Sequence, residues 1–404
     1  MGTRARQIAY ATGTVSSPLP YHANQRVPGM WRRQAPRMNM RFPRACLCAA
    51  GLLTMWGPHA SVAADQTLRG IVAVPPRGHL YHGVFPGGAT GEEDDITPAD
   101  VKSYEQLAGR SAAWTYFSHN WCKGRGFPLE TATWIRQRGS VPFIRLMLRS
   151  SFEQNRPERT FSLKRILEGA LDEDLRAWAR GARDFGTPLF VEFGTEANGK
   201  WFSWNGWWNG KDQRKSYGDP TLPDGPERFR DAYRRVIRTM RQEGAANIIW
   251  VFHANCGDYP RADWNRLENY YPGDDYIDCL GVSLYGAQTP QEQEWTEFRP
   301  TMDEVYPRLA ALGPTKPVLV LEFGACRNNP RGDQAEWAGR ALSDLVQNRW
   351  PNVVGFSWWN ERWENDENPE HDTSMRLQDN PALAAVFRKW VGARPDVLGR
   401  ISLP

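Results

Sequence analysis

Residues 317–326 read PVLVLEFGAC, and residues 190–206 read FVEFGTEANGKWFSWNG. Each stretch begins as a short apolar run typical of a buried β-strand, and each reaches a glutamate, Glu322 in the first and Glu196 in the second. Glycine or tryptophan follows both glutamates closely. Two carboxylates at the ends of separate strands, among aromatic side chains, are the groups needed to break a glycosidic bond. Whether they act together depends on a fold that brings both strand ends to one cleft.

Eight strand-like apolar runs follow one another along the chain, with helix-like segments between them. Repeated alternation of strand and helix predicts a (β/α)8 TIM barrel, an α/β fold whose usual length suits this chain of 404 residues. The alternative is an open doubly wound sheet, which usually has G-x-G-x-x-G after its first strand. Residues 81–95, YHGVFPGGATGEEDD, lack that motif, so the barrel is favoured. The predicted strands are 79–86, 111–120, 141–149, 188–196, 247–255, 277–285, 317–325 and 353–360, and the clearest predicted helices are 168–185, 227–244, 295–312, 333–346 and 381–391.

The first 64 residues differ from the rest, because they contain eight arginines and no Asp, Glu or Lys. From Met38 or Met40, a basic start, an apolar stretch at 45–56 and small residues at 61–64 follow the layout of a secretory signal peptide. An Arg-rich transit peptide and an uncleaved signal anchor are the alternatives. We therefore expect residues 1–64 to be an extension with a signal peptide at 38–64, and residues 65–404 to form one catalytic domain. The expected location is secreted or periplasmic, with no membrane contact beyond export.

Composition excludes some functions. Taking those eight arginines from the 50 Lys+Arg leaves 42 against 46 Asp+Glu, a net charge of −4, so a nucleic-acid partner is not indicated. The 19 tryptophans are typical of a protein that stacks aromatic rings on sugars, although they could also fill the core. Four cysteines remain beyond residue 64, enough for one or two disulfides, and Cys279 within a predicted strand could instead be a free thiol. They are Cys122, Cys256, Cys279 and Cys326.

Strand alternation predicts where the two glutamates point. In the fourth strand Glu192, Gly194 and Glu196 should share one face, and in the seventh Val318, Val320 and Glu322 should do so. Both glutamates would then emerge at the carboxyl-terminal rim, where barrel enzymes keep their chemistry. Cleavage needs one carboxyl protonated and the other ionised, and differing environments can separate their pKa values. Tyr285 is predicted to donate a hydrogen bond that holds Glu322 ionised, and Asn198 to orient Glu196 or a sugar hydroxyl.

Other polar and aromatic residues near strand ends are candidates for substrate binding. Tryptophans in a loop can stack on sugars, or they can simply pack that loop. His82, His119 and His253 lie near the ends of three predicted strands and suggest a metal-dependent hydrolase as a further alternative, but no H-x-H or H-E-x-x-H spacing supports it. No metal and no cofactor are therefore expected. The candidate substrate-binding residues are His119, Asn120, Asn198, Trp201, Trp204, His253, Tyr285, Trp358 and Trp359.

Several motifs together resemble glycoside hydrolase family 26. TEANGKWFSWNG resembles the family's acid/base motif, LEFG its nucleophile strand, FSWWNER its eighth strand, and NIIWVFHANCGDYP with NYYPGDDYIDCLGVSLYG its fifth-to-sixth-strand region. The resemblance extends from about Leu80 to Val391. It implies a β-mannanase-like (β/α)8 enzyme that cleaves β-linked polysaccharide internally and with retention, with Glu196 as acid/base and Glu322 as nucleophile. We expect it to act as a monomer.

The chain departs from this family at two positions. Family members usually carry His directly before the acid/base and Arg a few residues earlier, where this chain has Thr195 and Glu192. The change suggests a divergent member that acts on another β-glycan, such as mixed-linkage glucan or an exopolysaccharide. The alternative is a barrel that binds glycan without cleaving it. A Glu192 side chain inside the barrel needs a partner, and Arg145 is predicted to be that partner because it shares interior parity with Phe143 and Met147.

Overall fold

The computed structural model describes residues 67–87 and 93–403. Eight strands pair in parallel, each with the next in chain order, and the eighth pairs with the first to close a barrel. All eight fall within the strands predicted from the sequence, so the predicted (β/α)8 barrel is confirmed. They are β1 Leu80–Phe85, β2 Trp114–Asn120, β3 Val141–Met147, β4 Leu189–Phe193, β5 Ile248–Asn255, β6 Cys279–Tyr285, β7 Val318–Gly324 and β8 Val353–Trp359.

Helices connect most of the strands and include the five predicted from the sequence. One connection departs from the regular pattern, because β5 and β6 are joined by two 3-10 turns, Asp263–Asn265 and Leu267–Tyr270. The segment that joins these strands therefore leaves an irregular loop at the rim instead of a full helix. The helices are α1 Pro98–Ala108, α2 Leu129–Gln137, α3 Leu163–Leu167, α4 Asp172–Phe185, α5 Asp224–Gln242, α6 Phe298–Leu312, α7 Gln334–Val346 and α8 Pro381–Phe387.

An additional short strand lies beside β1, on the edge that faces β2. Val397 and Leu398 pair in parallel with the first residues of β1, whereas β2 pairs with β1 higher up, at Val84 and Thr115. The C-terminal segment thus supplies backbone partners to the lower half of β1 and fixes it in the sheet.

Aromatic rings fill the lower part of the barrel. The indole of Trp114 lies among Phe143 and Phe190, whose rings stack 5.3 Å apart. Trp114 fits there because Gly83 and Gly355 face it, and a Cβ at either position would come within 2.5 Å of the indole. This packed layer closes the bottom of the barrel and leaves the polar residues above it.

The described residues do not include the N-terminal extension, and they contain no candidate membrane span. The predicted extension and signal peptide, residues 1–64, lie outside the described residues. Within residues 67–87 and 93–403, no helix is both long and apolar enough to span a membrane.

Candidate active site

Glu196 reaches the rim through a turn and not through the strand. β4 ends at Phe193, and both Gly194 and Glu196 adopt positive φ angles, 69° and 49°. The prediction that strand alternation continues to Glu196 is therefore wrong, although its rim position is right. A positive φ is unfavourable for glutamate and is tolerated where the surroundings fix the residue.

Two neutral donors hold the Glu196 carboxylate. The indole Nε1 of Trp201 donates to Oε2 at 2.7 Å, and Nδ2 of Asn255 donates to Oε1 at 3.0 Å. The side chain is buried, with 8% of its surface exposed. Asn255 comes from the end of β5, so the donors on Glu196 tie the turn to the neighbouring strand. Sequence reasoning missed Asn255, although its place at a strand end was a usable signal.

Glu322 is directed into the barrel by a β-bulge. In the pairing of β6 with β7, Val282 lies opposite Val320 and Ser283 lies opposite Glu322, which leaves Leu321 as an extra residue. Leu321 approaches Gly281 in the interior, and Phe323 packs on Phe298 of the helix layer. The predicted shared face of Val318, Val320 and Glu322 is therefore wrong, because the bulge turns Leu321 and Glu322 to the same side.

The Glu322 carboxyl has one hydrogen-bond donor and one cation. The hydroxyl of Tyr285 donates to Oε2 at 2.9 Å, as predicted, and Nη2 of Arg145 lies 3.4 Å from Oε1. Burial nevertheless raises the pKa of Glu322 from 4.5 to about 7; the positive charge of Arg145 opposes this rise, and the negative charge of Glu196 adds to it. Tyr285 thus favours the ionised form of this carboxyl, while desolvation opposes that form more strongly than the contacts favour it.

Arg145 connects several carboxylates inside the barrel. Its guanidinium lies 3.6 Å from Glu192 Oε1 and 3.3 Å from Glu93 Oε2, and it also donates to Ser118. The predicted pair of Glu192 with Arg145 is confirmed. Three acids around one cation hold the guanidinium in place, and one of those acids is Glu322.

Glu192 is fully buried and has three partners. Tyr116 donates to it at 2.6 Å, and Nδ1 of His253 lies 2.7 Å away. Burial opposes its ionisation, but His253, Arg145 and Tyr116 keep the pKa of Glu192 below its ordinary value. Burial also works against a charged imidazole, yet Glu192 raises the pKa of His253 above its ordinary value.

His253 links Glu192 to the turn that carries Glu196 and to β6, which pairs with the strand that carries Glu322. Its Nδ1 lies 2.8 Å from the hydroxyl of Thr195, and its Nε2 lies 2.6 Å from that of Ser283 on β6. Thr195 directly precedes Glu196, and Ser283 pairs with Glu322 in the sheet. A buried chain of polar contacts therefore runs from Thr195 through Glu192 and Arg145 to Glu322.

Four predicted sugar-binding residues face away from the cleft or into the protein. His119 accepts a hydrogen bond from Trp178 of α4, on the helix side of β2. Trp358 is fully buried against the helix layer, next to Trp337, and Trp204 donates to the Thr195 carbonyl from a buried position. His253 is enclosed by the contacts described above. Their prediction as sugar contacts is wrong, since none offers a surface to a polysaccharide.

Two asparagines predicted to bind substrate instead form hydrogen bonds within the protein. The amide of Asn198 is fully buried and bonds to the backbone of Asn255 and Gly257, which fixes the turn after β5. Asn120 donates to Asp94 and accepts from Arg149. Both predictions are corrected, because these amides have their hydrogen-bond partners within the protein.

Trp201 and Trp359 lie close to the carboxylates. Trp201 contacts Glu196, and Trp359 lies over the guanidinium of Arg145 at 5.2 Å and stacks on Phe85 at 3.9 Å. Trp201 therefore lies beside Glu196 and Trp359 beside Arg145, and their role in sugar binding stays a prediction.

The three histidines behind the metal alternative do not converge. His82 bonds to Tyr104 of α1, His119 contacts α4, and His253 lies inside the barrel. Among residues 67–87 and 93–403, no group of three His, Cys, Asp or Glu side chains is arranged to hold a metal ion. The alternative built on these histidines is therefore wrong.

The cysteines are also unpaired. Cys122, Cys256, Cys279 and Cys326 are free thiols, so none of the disulfides that four cysteines would allow is formed. Cys279 is buried in β6, in agreement with its interpretation as a core thiol.

The fold and the site together define a class. A closed parallel barrel with two glutamates at the carboxyl ends of β4 and β7 has the architecture of many barrel enzymes. The family model described as Glycosyl hydrolase family 26 matches residues 158–313, which include Glu196 and Tyr285. Over these residues the chain is similar to glycosyl hydrolase family 26.

Sequence relatives are distant. The chain is 23% identical over 326 residues to Endoglucanase H of Acetivibrio thermocellus, which covers 80% of this chain and 32% of that protein. It is 23% identical over 246 residues to a mannan endo-1,4-beta-mannosidase of Bacillus subtilis, covering 56% of this chain and 58% of the relative. The chain thus spans less than two thirds of the length of these relatives.

Solved structures show the same fold. A GH26 beta-mannanase from Bacteroides ovatus superposes with a TM-score of 0.55 at 18% identity, covering 80% of this chain and 90% of the other. A mannanase from Bacillus subtilis gives a TM-score of 0.51 at 19% identity, with coverages of 78% and 85%.

Proposed function

We propose that this protein is a glycoside hydrolase that cleaves β-linked polysaccharide internally, with retention, by double displacement. Glu322 acts as the nucleophile and Glu196 as the acid/base. The observation that supports this most is the unequal setting of the two rim glutamates: Glu322 contacts a cation, and Glu196 is held only by neutral donors. The similarity to family 26 over residues 158–313 supports the same assignment.

In the first step, ionised Glu322 attacks the anomeric carbon and Glu196 protonates the departing oxygen. Arg145 and Tyr285 favour the ionised form of Glu322, whose negative charge they contact directly. Bond formation to Glu322 removes that charge, so the interaction with Arg145 must position the group without holding it too tightly. A contact of 3.4 Å is consistent with such a moderate interaction.

In the second step, Glu196 is a carboxylate and removes a proton from the water that attacks the glycosyl-enzyme. Trp201 and Asn255 each donate to a different oxygen of Glu196, which fixes the plane of the carboxyl in both steps. The strained φ of Glu196 is maintained by the same contacts.

The substrate contacts are proposed from the aromatic faces next to these groups. Trp201, beside Glu196, is proposed to stack on the leaving sugar, and Trp359, which is 4% exposed and lies beside Arg145, is proposed to line the neighbouring sugar site. The relatives are named for β-mannan and glucan cleavage, so both polymers belong among the candidate substrates.

The decisive experiment uses azide as an external nucleophile on two alanine variants, with an activated aryl β-glycoside. Glu196→Ala should regain turnover with azide and release a β-glycosyl azide, because the covalent intermediate still forms on Glu322. Glu322→Ala should release the α-glycosyl azide, because azide then attacks directly. Proton NMR distinguishes the two products.

Identical products from both variants would contradict the assigned roles. A second measurement tests the alternative that the protein binds glycan without cleaving it. If the unmodified protein retains mannan, mixed-linkage glucan, xylan and exopolysaccharides in affinity gels yet releases no reducing ends, it is a glycan-binding barrel and the hydrolase proposal fails.

We also propose that the protein is exported as a monomer by the signal predicted at residues 38–64. The supporting arguments are the layout of residues 38–64 and the size of the proposed polymer substrate, which is too large to enter a cell. N-terminal sequencing of the protein from culture medium or periplasm should find a start near residue 65, and size-exclusion chromatography should give one chain. A cytoplasmic full-length product would contradict export.

A further inference from the structure

The exposed aromatic rings of the described residues share one location. Phe152, Trp207 and Tyr259 are the aromatic side chains of that part of the chain with more than a third of their surface exposed, at 38%, 37% and 42%. They lie in the loops that follow β3, β4 and β5, at the carboxyl-terminal rim. Exposed rings grouped at one end of a barrel indicate a binding surface there.

Two of these rings, Tyr259 and Trp207, are connected to Glu196 through neighbouring residues. Trp201, which donates to Glu196, lies 5.7 Å from the ring of Tyr259. The backbone of Lys200 donates to the carbonyl of Tyr259, and its ammonium lies 5.9 Å from the centre of the Trp207 ring. We call Trp201, Tyr259, Trp207, Lys200 and Lys211 the lysine–aromatic platform.

The platform has a cationic character that its surroundings do not neutralise. The ammonium of Lys211 lies 3.8 Å from the centre of the Trp207 ring, so two lysines flank one exposed indole. Neither lysine forms an ion pair within the described part of the chain. Asp258, the acid beside Tyr259, is engaged by Arg308 at 2.9 Å.

The ring after β3 provides a contrast. Phe152 also has two cations over it, Lys123 and Arg149. Lys123 pairs with Asp94 at 2.6 Å, and Arg149 lies 3.3 Å from Glu93. The cations near Phe152 are therefore matched by acids, whereas those near Trp207 are available to an external anion.

We propose that the lysine–aromatic platform is a leaving-group subsite for polysaccharide segments that carry carboxylates, either uronic acids or pyruvate substituents. This inference rests on the proposed function and names its substrate class. Because Glu196 protonates the leaving group, loop residues that extend from Glu196 lie on the leaving-group side. A ring such as Trp207 stacks on the apolar face of a sugar, and a lysine at its edge attracts a carboxylate on that sugar.

The experiment compares a β-linked polysaccharide that contains glucuronic acid with its carboxyl-reduced form, in affinity gels and in hydrolysis. The variant is Lys200→Gln with Lys211→Gln, which removes two charges and keeps side chains of similar shape. The charge-matched control is Lys102→Gln with Lys389→Gln, two exposed lysines of the helix layer, one of which lies 5.0 Å over Trp390. Circular dichroism and the melting temperature check that both variants fold.

We expect the platform variant to bind the acidic polymer about 3- to 10-fold more weakly at low salt, as for two exposed charge pairs. Its binding of the reduced polymer should not change, and 0.5 M salt should remove the difference, because the Debye length is then only about 4 Å. The control variant should behave as the unmodified protein.

Equal binding of the acidic polymer by platform and control variants would overturn the inference, as would equal loss for acidic and reduced polymers. The gels measure binding without cleavage. A lysine-dependent preference without any released sugar would therefore contradict the hydrolase proposal and leave the platform intact, and cleavage without such a preference would do the reverse.

Discussion

The surroundings of Glu196 and Glu322 differ in backbone and in charge. Glu196 lies on a turn with a positive φ and receives hydrogen bonds from neutral donors, Trp201 and Asn255. Glu322 lies within a bulged strand, fully enclosed, and meets Arg145 and Tyr285. One carboxyl is therefore supported by an indole and an amide, and the other by a cation from across the barrel.

This difference corresponds to what the two roles require. An acid/base must carry a proton in one step and lose it in the next, so neutral donors that tolerate both states suit it. A nucleophile must be ionised when it attacks, and a nearby guanidinium favours that state. The distinction predicts unequal effects when each setting is altered.

The largest expected effect is on turnover, and substrates with different leaving groups distinguish Glu322 from Glu196. Glu322→Gln should reduce kcat by about 10⁴-fold or more on every substrate, since no covalent intermediate forms. Glu196→Gln should reduce polysaccharide cleavage by about 10²–10⁴-fold but leave the first step nearly intact for an aryl glycoside with an acidic phenol, because that group departs without a proton. A pre-steady-state burst of phenol measures it.

A burst in Glu322→Gln, or none in Glu196→Gln, would reverse the assignment and break the comparison. The matched control is Glu158→Gln, because Glu158 is a rim carboxylate that bonds to Ser150 and Thr160 outside the catalytic contacts. It should retain activity close to that of the unmodified protein.

The second effect concerns Arg145 and the pH dependence of activity. In the free protein the activity kcat/KM should rise as pH increases through about 7, since Glu322 must lose its proton to attack. Arg145→Met removes the charge that opposes the raised pKa, so this acid limb should move to higher pH, with about 10²-fold lower activity at pH 7. Arg145→Lys keeps a positive charge, so its acid limb should lie between those of the unmodified protein and Arg145→Met.

The same substitution carries a stability cost that must be measured separately. Removing one partner of a buried ion pair costs about 3–5 kcal/mol, and Glu192 and Glu93 would both lose a partner. Urea unfolding gives that cost. An acid limb that does not move in a folded Arg145→Met protein would show that Arg145 is only structural.

The eight strands and part of the site were predictable from the sequence. Apolar runs of strand length located all eight strands, because burial on both faces makes parallel strands recognisable. The Glu192–Arg145 pair was also predictable, since interior parity and the need to pair a buried charge identify it. Both glutamates were found at the rim.

The backbone devices that place the glutamates were not predictable. Strand alternation assumes regular pairing, and neither the bulge at Leu321 nor the positive φ of Glu196 has a marker in its own side chain. Trp358 and Trp359 show the same limit: adjacent residues on a strand face opposite sides, so one packs on the helices and one lies over Arg145. The sequence could not say which.

The third effect is on stability and depends on pH. The pKa of Glu322 rises from 4.5 to about 7 on folding, so below pH 4.5 both states hold the proton. Between pH 4.5 and 7 the unfolded chain loses it and the folded protein keeps it, and stability falls as pH rises; above 7 the full penalty of about 3 kcal/mol remains. Glu322→Gln should therefore raise the melting temperature at pH 8 and change it little at pH 4.5.

The smallest effect tests the single donors. Tyr285→Phe removes a hydrogen bond to Glu322, so its acid limb should move up in pH, because a donor to a carboxylate favours the ionised form. Trp201→Phe removes a donor from Glu196 and keeps a ring, so the acid limb should stay in place while turnover falls. We expect losses of about 10-fold in both, from one hydrogen bond to a charged group. If both variants moved the acid limb equally, the two carboxyls would titrate as one coupled pair, and the division between a cation-supported and a neutrally supported glutamate would not hold.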